Sequence, residues 1–305
     1  MTLPLRWRWR LDRWRERLAS LFRSAPSAAR PRLCPACGKL VGANATRCHE
    51  CGAHLTFSLT AASRSLASLL PAESPVTYFL LGLNFFFFGV TLLATLQVGG
   101  GLSLFGGISG EVLLRLGGRQ TILILHGEWW RLVMPIFLHG GLLHFLFNSL
   151  VLLDLGRQVE SLYGSARYLF VYVLTGVAGF LVSTAWNLYA AGGYGLSIGA
   201  SGALMGLVGV LLAVTQRRGG SYMRAMRSSL IRWVLYIFVL GLFFHFDNAA
   251  HLGGLASGYL LGLLLADREP YGPVERRRAY LLGWLAALVV AASLFSMLFG
   301  YFRAA

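Results

Sequence analysis

The chain has 305 residues, of which 56% are hydrophobic and 13% are charged, whereas about a quarter of the residues of an average soluble domain are charged. This composition excludes an ordinary water-soluble domain. Apolar runs of membrane-span length occur near residues 77–98, 141–156, 166–190, 199–215, 230–246, 248–266 and 280–301, so the sequence predicts seven transmembrane helices.

The net charge of +15 raises the question of a nucleic-acid partner. The positions of the basic residues favour membrane topology instead, because 23 of the 27 Lys and Arg residues fall in segments that share one side of the membrane if the N-terminus is cytoplasmic. The positive-inside rule therefore predicts a multi-pass protein of the cell membrane with a cytoplasmic N-terminus and an outside C-terminus, and no nucleic-acid partner.

Residues 1–30 form a basic segment and linker that precede the first apolar run. Large apolar side chains recur at helical spacing between basic ones, at Trp7, Leu11, Trp14, Leu18 and Leu21. Two interpretations are open for this segment. It is either a helix that lies on an anionic membrane surface or a solvated basic tail.

Residues 31–55 contain every cysteine of the chain, in the sequences CPACG (Cys34 and Cys37) and CHECG (Cys48 and Cys51). Two C-x-x-C pairs separated by ten residues are typical of a zinc ribbon, in which four thiolates surround one structural Zn²⁺. A disulfide pair or a redox dithiol is the alternative, and the cytoplasmic side disfavours it because thiols stay reduced there. Such accessory ribbons commonly bind protein partners or regulate, and this sequence does not specify which. Residues 56–74 are predicted to be a linker.

Polar residues within the apolar runs are costly in a bilayer and therefore indicate function. His139, His144 and Asn148 belong to the second run, Ser201 to the fourth and His251 to the sixth. Each alone has a structural explanation, such as helix packing. All three runs cross the membrane in the same direction, however, so their polar residues should lie at a similar depth near the outer side.

Glycines at a spacing of three or four residues follow these polar positions in the fourth and sixth runs. They are Gly199, Gly202, Gly206 and Gly209 in one run, and Gly254, Gly258 and Gly262 in the other. Small residues at this spacing allow two helices to approach closely. Close approach would bring a serine on one helix within hydrogen-bond reach of a histidine on the next.

Several of these sequences together resemble the rhomboid intramembrane serine proteases, over residues 75–266. The matching motifs are GEWWRL at 127–132, HGGLLHFLFN at 139–148, Gly156 with Glu160, GASG at 199–202 and AHLGGLASG at 250–258. The resemblance implies an all-α membrane protein with a six-helix core. An additional transmembrane helix at 279–302 fits the family's six-plus-one arrangement, with the small cytoplasmic zinc ribbon preceding the core.

The resemblance also implies a mechanism and a substrate class. Ser201 and His251 would form a catalytic dyad, and His144 and Asn148 would donate hydrogen bonds to the oxyanion. The substrates would be transmembrane segments of membrane proteins, cleaved within the lipid bilayer, and zinc would take no part in catalysis. Family members commonly carry an aromatic residue four positions after the serine, where this chain has Met205.

Asp247 lies four residues before His251 and is interpreted as an N-cap of the last core helix rather than as a third catalytic residue. Two other functions remain as alternatives. A catalytically inactive relative would bind membrane proteins without cleaving them, although both dyad residues are present. A transporter would need polar residues along a path to both membrane faces, whereas these candidates crowd one side.

Overall fold

The computed structural model describes residues 31–34, 37–43, 45–52, 54–55, 73–100, 107–190 and 195–304. It divides into two compact units, Met1–Ser58 and Leu59–Ala305. The amphipathic segment predicted at 1–30 and most of the linker predicted at 56–74 lie outside the described residues.

The first unit is built around a two-stranded antiparallel sheet. Strand β1 (Arg32–Leu33) pairs with β2 (Leu40–Val41), with Leu33 opposite Leu40. Each cysteine pair forms a tight turn, in which the N–H of Gly38 donates to the Cys34 carbonyl and that of Gly52 to the Cys48 carbonyl. Both glycines have a positive φ, at 74° and 69°, a conformation that a residue with a Cβ rarely adopts. The turn conformation therefore explains why each cysteine motif ends in glycine.

The second unit is helical. Its α-helices are α1 (Pro75–Gln97), α2 (Gly110–Arg115), α3 (Thr121–Leu125), α4 (Leu142–Val151), α5 (Arg157–Tyr163), α6 (Ser165–Tyr189), α7 (Ser201–Arg218), α8 (Gly220–Phe244), α9 (Asn248–Leu264) and α10 (Gly272–Ala304). Two short 3₁₀ helices lie at Trp129–Leu132 and Met134–Phe137. A π-helical segment, Leu152–Gly156, joins α4 to α5 without a break in helical backbone conformation.

Among the described helices, α1, α6, α8 and α10 are long and apolar enough to cross a membrane by length and composition. Several such helices in one chain are typical of a multi-pass membrane protein. The three runs predicted to carry the functional residues correspond to α4 with α5, to α7 and to α9. They are shorter, interrupted or more polar than α1, α6, α8 and α10. Helix α10 begins at Gly272, seven residues before the predicted start of the last span.

Helices α7 and α9 lie in the centre of the second unit and touch along the predicted glycine positions. A Cβ built on Gly254 would lie 1.9 Å from the carbonyl oxygen of Gly202, and one built on Gly258 would lie 1.9 Å from that of Gly206. A Cβ on Gly209 would lie 2.2 Å from the Leu255 carbonyl oxygen. Glycine is thus required at this interface by direct contact between two backbones.

The C-terminal end of the second predicted span is anchored to α1 by one carboxylate. Glu160 is buried, and it accepts hydrogen bonds from the backbone N–H groups of Val76 (3.0 Å) and Thr77 (2.8 Å). The hydroxyls of Thr77 (2.8 Å) and Ser165 (2.6 Å) donate to it as well. A carboxylate at the N-terminus of α1 satisfies N–H groups that no intrahelical partner can satisfy.

Candidate active site

Ser201 and His251 meet where two central helices begin. Ser201 is the first residue of α7, and His251 lies in the first turn of α9. The Nε2 atom of His251 is 2.8 Å from the hydroxyl oxygen of Ser201, and His251 is only 3% exposed. This is the distance at which an imidazole can take the proton of a serine hydroxyl.

Gly199 shapes the backbone that leads into Ser201. Its φ is +120°, which disfavours any residue with a Cβ, and its N–H donates to the Pro135 carbonyl at 2.8 Å. A Cβ at this position would also lie 2.7 Å from Nε2 of His144. Gly199 is therefore required for two reasons: its backbone conformation allows the turn, and the absence of a side chain leaves room for His144.

His144 and Asn148 lie one turn apart on α4, beside this turn. The N–H of Gly140 is 3.4 Å from Nδ1 of His144, a geometry in which Nδ1 accepts and the neutral ring carries its proton on Nε2, next to Gly199. Asn148 is buried, and its amide donates to the His144 carbonyl at 2.8 Å. One N–H of that amide remains available to another acceptor.

Asp247 caps α9 and does not contact the His251 side chain in the described structure. One of its oxygens accepts from the N–H of Ala250 at 2.9 Å, as the N-cap interpretation predicts. Its other oxygen accepts from Arg119 at 3.2 Å and from the hydroxyl of Ser183. Among the described residues, Nδ1 of His251 has no hydrogen-bond partner. The arrangement is a pair, without a third residue aligned behind the histidine.

The ring of His251 is flanked by two phenylalanines that sequence reasoning did not single out. Phe238 on α8 and Phe246 in the turn before α9 approach it roughly edge to face, with ring centroids 6.2 and 6.3 Å away. Met205 is buried in α7. Phe238 and Phe246 could not be singled out from the sequence, because both lie in an aromatic-rich stretch that is also typical of a lipid-facing helix.

His139 is fully buried next to His144, with ring centroids 5.2 Å apart. Neither of its ring nitrogens has a hydrogen-bond partner among the described residues. It packs edge to face against Phe145, at 5.6 Å between the ring centroids. The structure thus places His139 in contact with His144 and Phe145.

The four cysteines of the first unit form a second candidate site. Their sulfur atoms all lie within 4.8 Å of one another. Sγ of Cys34 is 3.6 Å from that of Cys51, and Sγ of Cys37 is 3.6 Å from that of Cys48. These separations are well beyond a disulfide bond of about 2.05 Å. They are close to the spacing of about 3.8 Å that Zn–S distances of about 2.3 Å produce in a tetrahedron.

The chemistry of these thiols also suits a metal. The backbone N–H of Cys51 stabilises the Cys48 thiolate and is the largest cause that lowers the pKa of Cys48 to about 6. A thiol that ionises readily is a better metal ligand, because only the thiolate coordinates. The cluster can therefore hold a metal ion.

The second unit defines a class: a multi-pass helical membrane protein with a buried serine–histidine pair between glycine-packed helices. Residues 126–268 match the family model described as a Rhomboid domain. The chain is also 35% identical over 148 residues to the rhomboid-family protein YdcA of Bacillus subtilis, and this match covers 48% of the chain and 72% of YdcA. The chain belongs to the rhomboid family.

Two other relatives match the chain over a smaller share of their own length. The chain is 37% identical over 163 residues to rhomboid protease GluP of Bacillus subtilis, which covers 52% of the chain and 31% of GluP. It is 37% identical over 173 residues to RHOMBOID-like protein 5 of Arabidopsis thaliana, which covers 55% of the chain and 54% of that protein. The chain thus spans between about a third and about half of the length of these two proteins.

Proposed function

We propose that this protein is an intramembrane serine endopeptidase that cleaves transmembrane segments of membrane proteins. The observation that carries the proposal is the 2.8 Å contact between Nε2 of His251 and the hydroxyl of Ser201, buried among membrane helices. A serine hydroxyl is a weak nucleophile until a base removes its proton, and this contact supplies the base. The name of GluP describes a rhomboid protease, which agrees with this assignment.

In this mechanism, Nε2 of His251 accepts the proton of Ser201 while the serine oxygen attacks a peptide carbonyl carbon. The resulting imidazolium returns the proton to the amide nitrogen, the C–N bond breaks and the amine leaves. His251 then takes a proton from water while the water oxygen attacks the acyl carbon. The imidazolium returns this proton to the Ser201 oxygen as the ester bond breaks, which releases the acid and restores both residues.

The tetrahedral intermediates carry an oxyanion that needs preorganised donors. The backbone N–H of Ser201, the amide of Asn148 and the Nε2–H of His144 are the proposed donors. Ser201 also begins the 18-residue helix α7, whose N-terminal dipole favours negative charge at this position. A substrate helix must unwind locally to react, because its carbonyls are otherwise engaged in its own hydrogen bonds.

The same proposal covers domain organisation and topology. The domains are the basic segment 1–30, the ribbon 31–55, the linker 56–74, the protease core 75–266 and the additional helix 279–302. The distribution of basic residues supports a cytoplasmic N-terminus, an outside C-terminus and the cell membrane as the location. The active site then lies toward the outer side.

The four-cysteine cluster is proposed to hold one structural Zn²⁺ through Cys34, Cys37, Cys48 and Cys51. The sulfur separations and the donor set support zinc. A closed shell of four thiolates leaves no coordination position for a substrate. The ion would hold the small unit together and present it to a protein partner, and it would take no part in peptide hydrolysis.

The decisive experiment measures cleavage of a generic transmembrane model substrate by the purified protein in liposomes. We expect Ser201→Ala and His251→Ala to abolish cleavage, because each removes one half of the dyad. Ser257→Ala is the matched control, since its hydroxyl donates to the Gly254 carbonyl within α9 and has no part in the proposed chemistry. Cleavage by Ser201→Ala at the wild-type rate would refute the proposal that Ser201 is the nucleophile.

A further inference from the structure

Arg119 is a buried arginine in the turn between α2 and α3, and its contacts reach the segments that precede Ser201 and His251. Its side chain is 2% exposed, and its guanidinium donates four hydrogen bonds. The acceptors are the hydroxyls of Thr121 (3.2 Å) and Ser183 (2.6 Å), the carbonyl of Gly195 (3.2 Å) and the carboxylate of Asp247 (3.2 Å). These acceptors lie up to 128 residues away in the sequence.

One set of contacts reaches the loop that leads into Ser201. The N–H of Arg119 donates to the Ser197 carbonyl at 2.9 Å, and the N–H of Ser197 donates to the Arg119 carbonyl at 3.1 Å. The guanidinium also holds the Gly195 carbonyl two residues earlier. Arg119 therefore binds this loop through both its backbone and its side chain, within six residues of Ser201.

The other contacts reach the start of the helix that carries His251. Asp247 uses one carboxylate oxygen to cap α9 and the other to accept from Arg119 and Ser183. Ser183 belongs to α6, so its hydrogen bond to Asp247 also connects the start of α9 to α6. Through Asp247, the orientation of the first turn of α9, where the imidazole is attached, depends on the position of the guanidinium.

Because the Arg119 guanidinium is buried, its partners must compensate for the water that it has lost. A buried charge needs a paired charge and a full set of hydrogen bonds, and a guanidinium offers several donors in a fixed planar fork. A lysine ammonium is a single point of charge and cannot reach Thr121, Gly195, Ser183 and Asp247 at once. Retention of charge alone would not preserve the geometry.

We propose that Arg119 is a positioning residue that holds the loop before Ser201 and the N-terminus of α9 in one hydrogen-bonded unit, and so sets the distance between Ser201 and His251. The proposal rests on the function proposed above. Arg119 does not touch the reacting atoms and acts through Asp247, Gly195 and Ser197.

The test compares Arg119→Lys with Arg167→Lys in the full-length protein. Arg167 is also buried, and it pairs with a carboxylate and a backbone carbonyl, those of Glu275 (3.8 Å) and Arg268 (3.1 Å). Both of these partners lie between α9 and the first turn of α10, away in sequence from the Ser201 loop and from the start of α9. The readouts are the rate of Ser201 labelling by a fluorophosphonate, the kcat and KM for a transmembrane model substrate, and the melting temperature.

For Arg119→Lys we expect the labelling rate and kcat to fall about 10- to 100-fold, with KM little changed, because a displacement of the order of 1 Å at the reacting groups has this effect. Arg167→Lys should lose a similar amount of thermal stability and keep its labelling rate. Equal labelling rates for the two variants at equal melting temperatures would overturn the proposal.

Asp247→Asn gives a second route if Arg119→Lys folds poorly. Asparagine still caps a helix, so this variant loses the charge pair while it retains the cap. Its labelling rate should fall as well, and the double variant should be less impaired than the sum of the two single effects, because both changes act on one contact. Additive losses would contradict the proposed coupling.

Amide hydrogen exchange separates this proposal from the proposed function. If the wild type neither cleaves nor is labelled, the function assignment fails, while exchange in segments 195–202 and 247–252 still reports the positioning. Arg119→Lys should raise exchange in both segments and Arg167→Lys in neither. Unchanged exchange in both segments of Arg119→Lys would refute the positioning role.

Discussion

At the scale of single residues, the site separates a reacting pair from the groups that stabilise charge. Ser201 and His251 are in direct contact, whereas His144 and Asn148 lie on another helix beside the turn at Gly199. As the proposed oxyanion donors, His144 and Asn148 would contribute only once a substrate carbonyl is being attacked. Removal of one donor should affect the chemical step more than substrate binding.

Asn148→Ala tests this separation. We expect kcat to fall by about 10²- to 10³-fold with little change in KM, the effect typical of a lost oxyanion donor. Asn187→Ala is a matched control, because Asn187 is buried and its amide donates to the carbonyl four residues earlier, as that of Asn148 does. Equal losses of kcat in both variants, in steady-state cleavage assays, would show that Asn148 acts only through the fold.

At the scale of elements, the α7–α9 interface sets the distance between nucleophile and base. Gly258→Ala would place a Cβ 1.9 Å from the Gly206 carbonyl oxygen, so the two helices would have to separate. We expect a loss of stability of about 1–3 kcal/mol, as for other overpacked positions, together with reduced cleavage. Both are measured by thermal unfolding and by the liposome assay.

Gly82→Ala is the control for this substitution. Gly82 lies within α1, and a Cβ there would have no atom within 4 Å in the described structure. Alanine favours a helix over glycine, so stability should be unchanged or slightly increased. A Gly258→Ala protein as stable and active as Gly82→Ala would mean that backbone contact does not set the helix separation.

The C-terminal ends of α7 and α9 are joined by a charge cluster. Arg217 and Arg218 donate to the Asp267 carboxylate at 2.8 and 2.7 Å, and the hydrogen bond from Arg218 is the largest cause that lowers the pKa of Asp267. A depressed pKa in the folded state means that the carboxylate stabilises the fold above its unfolded pKa of about 4. That stabilisation is lost as the pH falls through the lowered value.

Asp267→Asn should therefore lower the melting temperature at pH 7, and its difference from the wild type should shrink as the solution is acidified below about pH 4. The side chains are partly exposed, so the effect should be small and should decrease in high salt. Glu111→Gln is the control, because its pair with Arg115 is more exposed. A pH-independent difference would mean that charge is not the cause.

At the scale of the whole molecule, the two compact units have separate chemistry. Full-length protein should contain one zinc ion per chain, and Cys48→Ser should lose it while the transmembrane substrate is still cleaved. His49→Ala should keep the ion, because four cysteines complete the shell without it. Metal analysis and the liposome assay measure both, and loss of cleavage in Cys48→Ser would contradict the separation of roles.

The orientation of the chain in the membrane is a second property at this scale. A periplasmic-type reporter such as alkaline phosphatase, fused after Ala305, should be active in a bacterial host, whereas green fluorescent protein at the same position should not fluoresce. Reporters fused after Gly219, in the basic turn between α7 and α8, should behave in the opposite way. An active cytoplasmic reporter at the C-terminus would reverse the proposed topology.

Much of this organisation could be predicted because its signals are local. The cysteine spacing indicates a four-sulfur cluster without knowledge of the fold, and the glycine repeats indicate close contact between α7 and α9. The meeting of Ser201 with His251 was predictable because shared span direction and shared position along each helix place both at one depth.

The role of Arg119 could not be predicted in this way. Its partners belong to loops and helices distant in the chain, and a lone arginine in a loop is equally compatible with exposure to water. Phe238 and Phe246 were hidden among lipid-facing aromatic residues for the same reason. Such contacts depend on loop conformations that no periodicity encodes.

The π-helical segment Leu152–Gly156 changes the direction in which the side chains of α4 and α5 point relative to each other. A π turn takes in an extra residue, so everything beyond it is out of phase by about 100° with a continuous α-helix. On one side of this segment His144 lies next to Gly199, and on the other side Glu160 accepts from the start of α1. Deletion of one residue here would keep the crossing apolar and helical, yet it would rotate one end away from its partners.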